Sequence, residues 1–259
     1  MGPAYAAGMR VRIGTAGWSI PRVHGAACPG EGTHLQRYAR VLNAAEINSS
    51  FHRPHAATTY EKWARCAPRD FRFAVKLPRA ITHDAGLRRS RAALDALLEQ
   101  TSGLGARRGP LLVQLPPSFE FDIAVVRRFF ALVRGQFEGP LVCEPRHATW
   151  FTARVDDLLR DFRVARVAAD PPPVPGADVP GGWPGLIYFR LHGSPRKYWS
   201  AYSTEFLSAL ATRLGLGAKN VERWCIFDNT ASGAALGNAL ELQTLLSVVP
   251  SSYGSRVGK

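Results

Sequence analysis

Short runs of β-branched and apolar residues alternate along the chain with stretches in which apolar residues recur every three or four positions. The runs predict eight strands, at 11–14, 45–48, 71–76, 111–115, 140–144, 164–170, 186–192 and 224–228. Between them, Leu35, Tyr38, Ala39 and Leu42 fall at i, i+3, i+4 and i+7, one face of a helix. Ser90 is placed to cap a helix carrying Leu94, Leu97, Leu98 and Thr101, and 155–162, 204–214 and 231–246 repeat the helical period. Each strand–helix–strand crossover returns the chain to the same end of the sheet, so neighbouring strands run parallel. Eight such units in 259 residues predict an α/β fold, a (β/α)8 TIM-barrel-like single domain over 10–248, with flexible termini at 1–9 and 249–259. The alternative is an open doubly wound sheet, which has no positive support: 14–18 read Gly-Thr-Ala-Gly-Trp rather than G-x-G-x-x-G, and no G-x-x-x-x-G-K-[ST] occurs. The Pro/Gly-rich stretch 171–185 breaks the rhythm, but strand-like residues resume directly after it, which predicts a long loop within one barrel rather than a domain linker.

Composition adds the class of protein. With 46% hydrophobic residues the chain has the means to build a core, which excludes a disordered chain. No apolar run approaches the roughly 18 residues of a spanning helix, and residues 1–8 lack the apolar centre of a signal peptide. A cytoplasmic protein without a membrane partner is the expectation. Cys28, Cys66, Cys143 and Cys225 lie far apart with no C-x-x-C pair, so they read as reduced thiols rather than a zinc module or a disulfide framework. Charge is the more informative term: 33 Lys+Arg against 20 Asp+Glu give +13, a field that favours phosphorylated or polyanionic partners. The runs Arg88-Arg89-Ser90-Arg91, Arg107-Arg108 and Arg127-Arg128 also fit ordinary solvated helix faces. A stripe of arginines running into the barrel mouth would favour nucleic acid, and a scatter would favour composition alone.

In a parallel barrel the functional residues gather where strands end, because the following loops surround one mouth. Polar residues stand there on almost every predicted strand: Thr15 and Trp18 after the first, Glu46 and Asn48 on the second, Lys76 on the third with His83 beyond, and Gln114 on the fourth. The fifth ends in Glu144, Arg146 and His147, the sixth at Asp170, the seventh with Arg190 and His192, and the eighth with Asp228-Asn229. Period-two alternation puts Glu46 with Asn48, Glu144 with Arg146, and Arg190 with His192 on common faces. If those faces point inward, the mouth holds charges of both signs.

In combination these segments resemble the DUF72 (YecE-like) family. They are Ile13-Gly14-Thr15-Ala16-Gly17-Trp18, Glu46-Ile47-Asn48-Ser49-Ser50-Phe51, Phe73-Ala74-Val75-Lys76 with Ile81-Thr82-His83, and Leu112-Val113-Gln114-Leu115-Pro116-Pro117. Glu144-Pro145-Arg146-His147-Ala148-Thr149-Trp150, Arg190-Leu191-His192-Gly193 and Phe227-Asp228-Asn229 with Gly233, Ala234, Asn238 and Ala239 complete the set, which spans 13 to about 240. The resemblance implies a TIM-barrel-like fold and assigns no reaction. Many members have a Tyr at the third position after the first Gly-Trp and an Asn-Asn pair on the last strand; this chain has Pro21 and Asp228-Asn229.

Several chemistries compete for these residues. The stretch Gly193-Ser194-Pro195-Arg196-Lys197 after the seventh strand, and Asn229 leading into the last helix, form a candidate small-anion site of Gly, Ser, free helix N–H groups and charge, against which stands an ordinary turn and cap. Glu46, Glu144, His192 and Asp228 are candidates for acid–base catalysis; with His83 or His147 the same groups would hold a divalent metal, the low-ranked cofactor reading, although no H-E-x-x-H spacing occurs. Against both stands a fixed ion-pair network, with Glu144–Arg146 and Asp170–Arg190 as the expected pairs. Lys76 is a candidate Schiff-base nucleophile or an ordinary phosphate contact. Trp18, Phe51, Trp150, Tyr198, Trp199 and Tyr202 would rim the mouth and stack a sugar or a base.

The leading expectation is an enzyme acting on a small anionic or phosphorylated, sugar-like ligand. Arg146, Arg190 and the 193–197 loop would hold its charge, with Thr15, Trp18, Asn48, Gln114, His147, Asp170 and Asn229 as further ligand contacts. The competing readings are a basic nucleic-acid-binding or nuclease-like barrel and a non-catalytic binding protein. Oligomeric state leaves no mark on the sequence.

Overall fold

Burial is nearly continuous along the strands rather than alternating with water, the pattern of a parallel sheet covered on both faces. In the computed structural model, which describes residues 11–216 and 220–248, these are β1 (Val11–Thr15), β2 (Ala44–Ile47), β3 (Arg72–Lys76), β4 (Arg108–Gln114) and β5 (Leu141–Glu144). There follow β6 (Val164–Arg166), β7 (Ala168–Asp170), β8 (Gly181–Gly182), β9 (Leu186–Leu191) and β10 (Glu222–Phe227). The predicted termini 1–9 and 249–259 lie outside the described residues.

The strands form two sheets, ordered β1-β10-β9-β7 and β2-β3-β4-β5-β6-β8, with every pair parallel except β6 with β8. The predicted sixth strand serves both sheets: it divides at Val167, so that β6 pairs with β5 and β7 with β9. The Val167 N–H still donates to the Cys143 carbonyl at 2.8 Å. On the opposite side β1 meets β2 at one parallel bridge, Ala16 to Glu46, beside which the Gly17 N–H donates to the Glu46 carbonyl at 2.8 Å. Side chains take the place of the missing ladder. Asn43 accepts from the Ile13 N–H at 2.8 Å and donates to the Val11 carbonyl at 2.8 Å, while the Tyr38 hydroxyl accepts from the Thr15 N–H and donates to the Ala44 carbonyl. A Cβ at Gly14 would stand 2.1 Å from the Ala44 carbonyl oxygen, so this approach requires glycine.

Helices cover the outside: α1 (His34–Tyr38), α2 (Ser49–His52), α3 (Ala57–Cys66), α4 (Arg91–Thr101), α5 (Ile123–Arg134), α6 (Ala153–Asp161), α7 (Thr204–Gly215) and α8 (Ala234–Val248). Asp122, Thr152 and Ser203 cap α5, α6 and α7 by accepting from N–H groups of the first turn. Ser90 precedes α4 as predicted but does not cap it; its hydroxyl donates back to the Arg88 carbonyl at 3.2 Å. The (β/α) alternation also fails once. The crossover after β7 has no helix among the described residues; a loop carries the short β8 back against β6 instead. Asp156 ties it down, binding Arg166 through both oxygens at 2.8 and 3.1 Å and accepting from the Gly182 N–H at 3.0 Å.

Period-two alternation sorts the strand residues into two apolar layers. Ile13, Ile47, Phe73, Val75, Val113, Phe189, Leu191, Cys225 and Phe227 face the helices in the larger core. Ala44, Ala74, Leu112, Val142, Ala165, Leu186, Tyr188, Trp224 and Ile226 form a separate inner cluster. Extending that inner parity along each strand leads to Glu46, Lys76, Gln114, Glu144, Arg190, His192 and Asp228.

Candidate functional site

These inner-face residues meet at the strand C-termini around one guanidinium. Arg190 is fully buried and donates to Glu46 Oε2 from Nε at 3.0 Å, to Glu46 Oε1 from Nη2 at 2.6 Å, to Glu144 Oε2 from Nη1 at 2.6 Å and to Asp228 Oδ2 from Nη2 at 3.1 Å. Only the fixed fork of arginine engages three carboxylates in this way. His192 closes the ring, with Nδ1 3.1 Å from Asp228 Oδ2 and Nε2 3.0 Å from Glu144 Oε1. Gln114 donates to Glu144 Oε2 at 3.0 Å, the Tyr188 hydroxyl to Glu46 Oε2 at 3.0 Å, and Arg146 to Glu144 Oε1 from Nε and Nη2 at 3.3 and 3.2 Å.

Burial by itself would favour neutral groups, and the pairing overrides it. Desolvation pushes the Glu144 carboxyl up, but Arg190, His192 and Arg146 hold it well below the ordinary carboxylate range; Asp228 is likewise lowered against its burial by Arg190 and His192. His192 is raised above 6.5 despite burial, through Glu144 and the hydrogen bonds to both carboxylates, which favour its charged form. Burial lowers the Arg190 proton affinity, and its three carboxylates more than reverse this.

Lys76 does not join this network. It is 9% exposed, yet it forms no hydrogen bond or ion pair with a described residue; its Nζ lies 4.3 Å from the centre of the Phe51 ring. Burial and then Arg190 lower its proton affinity, partly offset by the three carboxylates. His83 packs edge-on against the other part of the same site, 4.9 Å from the Phe51 ring centre, and is kept toward neutral by burial and by Lys76, Arg79 and Arg146. Ser50 donates to the Lys76 carbonyl at 2.7 Å and so fixes the strand end to α2.

Other predicted residues are placed elsewhere. Thr15 faces outward and its hydroxyl serves the seam, bonding Gly17 O and the Tyr38 hydroxyl. Trp18 packs edge-on against Trp63 and Phe73 on the helix side. His147 caps a short turn through Nδ1 and Thr149. Asp170 does not pair with Arg190: the expected ion pair is replaced by Glu46 and Glu144 from the other sheet and by Asp228 from the end of the neighbouring β10, and burial raises the Asp170 carboxyl. Asn48 Oδ1 is buried with no partner among the described residues. In the 193–197 loop the Gly193 N–H is taken by the Tyr202 hydroxyl at 2.8 Å, Ser194, Arg196 and Lys197 are exposed, and Arg196 lies 4.7 Å over the Trp199 ring. Asn229 is fully buried and binds Ser200 O and Asn238. The expected aromatic rim reduces to Phe51, Tyr198 and Trp199, since Trp150 and Tyr202 are buried and Trp18 packs on the helix side.

Tyr188 is the network member missed in the sequence, although the parity of Arg190 two residues on would have found it. Among the described residues no group of three or more His, Cys, Asp or Glu is arranged to hold a metal; the donor atoms of Glu46, Glu144, Asp228 and His192 turn to Arg190 or to each other. No helix of the described residues is long and apolar enough to cross a membrane. The arginines are scattered, and many fasten loops: Arg12, Arg37, Arg72, Arg107, Arg108, Arg134, Arg166, Arg213 and Arg223 each donate to a main-chain carbonyl. Arg88, Arg89, Arg91 and Arg128 line a flank groove of about 580 Å³ beside α5.

The arrangement of parallel strands covered by helices is a fold this chain shares with known proteins. Residues 12–255 match the family described as "Protein of unknown function DUF72", and the chain belongs to that family. A DUF72 family protein from Thermotoga maritima superposes with a TM-score of 0.74 at 25% identity, covering 92% of this chain and 99% of that one. One from Enterococcus faecalis gives 0.75 at 21% identity, covering 96% and 100%. The UPF0759 protein YecE of Escherichia coli K12 is 28% identical over 173 residues, 64% of this chain and 61% of that protein. Its counterpart in the O157:H7 strain is 29% identical over 142 residues, 54% and 50% of the two chains.

Proposed function

We propose that the barrel mouth binds a small anionic molecule, a carboxylate or a phosphate ester, and that the chain is an enzyme acting on it by acid–base chemistry. The observation that carries this reading is the charge balance at the mouth. Arg146, Arg190 and Lys76 match Glu46, Glu144 and Asp228 in number, His192 is raised toward its charged form beside them, and Lys76 is left unpaired. A desolvated, unpaired cation is costly unless an anion completes it. Arg146 supports the reading, because its Nη1 makes no hydrogen bond to a described residue while Nε and Nη2 hold it against Glu144.

The geometry also divides the roles. Glu46 is fully buried with both oxygens on Arg190, which makes it an anchor for that residue rather than a proton carrier. Asp228 is the least buried of the three carboxylates and shares a hydrogen bond with His192, so proton exchange with a ligand falls to that pair and to Lys76.

Titration of inorganic phosphate and pyruvate by calorimetry tests the reading. Binding is expected to weaken by about 1.5–3 kcal/mol in Arg146→Ala or Lys76→Met, the range for a charge-assisted hydrogen bond, and to stay within about twofold in Arg196→Ala, whose side chain lies over Trp199. Equal affinity in wild-type, Arg146→Ala and Lys76→Met protein would overturn it.

A further inference from the structure

We propose that Lys76 is a covalent nucleophile whose amine condenses with the carbonyl carbon of a small aldehyde or ketone bearing a carboxylate or phosphate, a substrate class that rests on the anionic mouth proposed above. A lysine placed to neutralise the mouth would touch a carboxylate. Three carboxylates line this mouth, and Lys76 pairs with none: Glu46 is engaged by Arg190 and Tyr188, Glu144 by Arg190, Arg146, Gln114 and His192, and Asp228 by Arg190 and His192. Arg190 takes at least one oxygen of each carboxylate and acts on Lys76 as a second cation.

The surroundings suit an amine that must at times be neutral. Burial and Arg190 both disfavour its ammonium form, which raises the fraction of free amine at neutral pH. The Phe51 ring forms one wall, and Ser50 fixes the backbone at the root of the side chain. That same ring also carries His83, so amine and imidazole are set on one platform, with the imidazole kept toward neutral and able to take a proton. Asn48 Oδ1, just past the end of the neighbouring strand, is a buried acceptor with no partner among the described residues. Arg146 offers Nη1 to the substrate's anionic group.

The step balances without any cofactor. The Nζ lone pair forms a bond to the carbonyl carbon as the C=O π pair moves to oxygen; one N–H proton leaves through His83, and the oxygen takes a proton from the His192–Asp228 pair, giving a carbinolamine. A second proton, returned by His83, lets that oxygen leave as water while the nitrogen lone pair forms C=N. The product is a protonated Schiff base that keeps one N–H. Amine, carbonyl compound and one proton become iminium and water, with no oxidation or reduction.

Trapping tests this. The full chain is incubated with pyruvate, with glycolaldehyde phosphate and with uncharged propanal, each with sodium cyanoborohydride, and the adduct is located by peptide mass spectrometry. The chain has five lysines, Lys62, Lys76, Lys197, Lys219 and Lys259, so the assignment is unambiguous. Lys76 is expected to be labelled faster than exposed Lys62, because burial and Arg190 raise its free-amine fraction. Lys76→Arg should abolish the fast adduct, and Arg146→Ala should slow labelling by pyruvate more than by propanal. Calorimetric binding of pyruvate without labelling of Lys76 overturns the nucleophile and leaves the anionic mouth standing. Fast labelling by propanal with no binding of phosphate or pyruvate removes the anionic mouth and the charged substrate class, and upholds only the amine. Labelling of Lys76 no faster than Lys62 by any of the three probes overturns the proposal outright.

Discussion

The two halves of the barrel interior are built on one parity and opposite chemistry. In the lower half Leu112, Val142, Leu186 and Ile226 surround Tyr188 and Trp224, whose rings stack with centroids 5.8 Å apart and planes 11° from parallel. In the upper half the same strands present Gln114, Glu144, Arg190, His192 and Asp228, with Lys76 and Glu46 across from them. Apolar packing alone would fill such an interior, as it does below. A buried ion network usually stabilises a fold no better than well-packed apolar residues of similar volume, because desolvation offsets the Coulomb attraction. The contrast therefore assigns stability to the lower half and chemistry to the upper, with Arg190 as the residue that makes the upper half tolerable.

The sharpest way to break that division is at its two centres. Arg190→Met leaves Glu46 buried without a cation and takes one cationic partner from Glu144 and Asp228, and is expected to lose about 3–5 kcal/mol in urea unfolding. Glu46→Leu added to it should recover part of the loss, and a further loss in the double variant would count against the account. Trp224→Ala opens a cavity below and is also expected to cost about 3–5 kcal/mol, but without changing the anion affinity of the folded fraction; a matching loss of affinity would mean that the halves are not separable.

A smaller effect comes from pH. Glu144 and Asp228 are lowered on folding, so their contribution is complete above the ordinary values of 4.5 and 3.8 and is lost as pH falls through the lowered ones. His192 is raised on folding, so its contribution is complete below 6.5 and is lost as pH rises through the raised value. The stability difference between wild-type and His192→Gln protein should therefore shrink from pH 6.5 upward, and a constant difference across that range would show that the imidazolium contributes nothing. Smallest of all is Lys76→Met, which removes an unpaired amine and should leave stability unchanged or raised; a loss above about 1 kcal/mol would place Lys76 among the structural residues.

Much of this was legible beforehand. All eight predicted strands are present, because a parallel barrel buries both faces of each strand and its apolar runs stand out. The mixed-charge mouth followed from alternation along Glu144–Arg146 and Arg190–His192. Partners across the barrel did not follow, because they depend on which strands face each other: Asp170 and Arg190 sit on paired strands but do not bond, whereas Glu46 reaches Arg190 from the far side. The 193–197 loop had the right composition for anion binding, yet its N–H at Gly193 is used by Tyr202 and its cations stand in solvent. Ser90 shows the same limit locally, since the residue was in the capping position and its hydroxyl chose a carbonyl. Thr15 shares the parity of Ile13 and so faces the helices, and Trp18 lies beyond the strand and packs on Trp63 and Phe73.

That seam bears on how the chain assembles as it is made. The ladder of β1 runs entirely along β10, from Val11 opposite Arg223 to Thr15 opposite Phe227, while toward β2 it has one bridge and the side chains of Asn43 and Tyr38. Pairing between such distant segments waits on closure of nearly the whole chain, and N-terminal segments leave the ribosome first. β1 is thus made long before β10, the strand that completes its backbone.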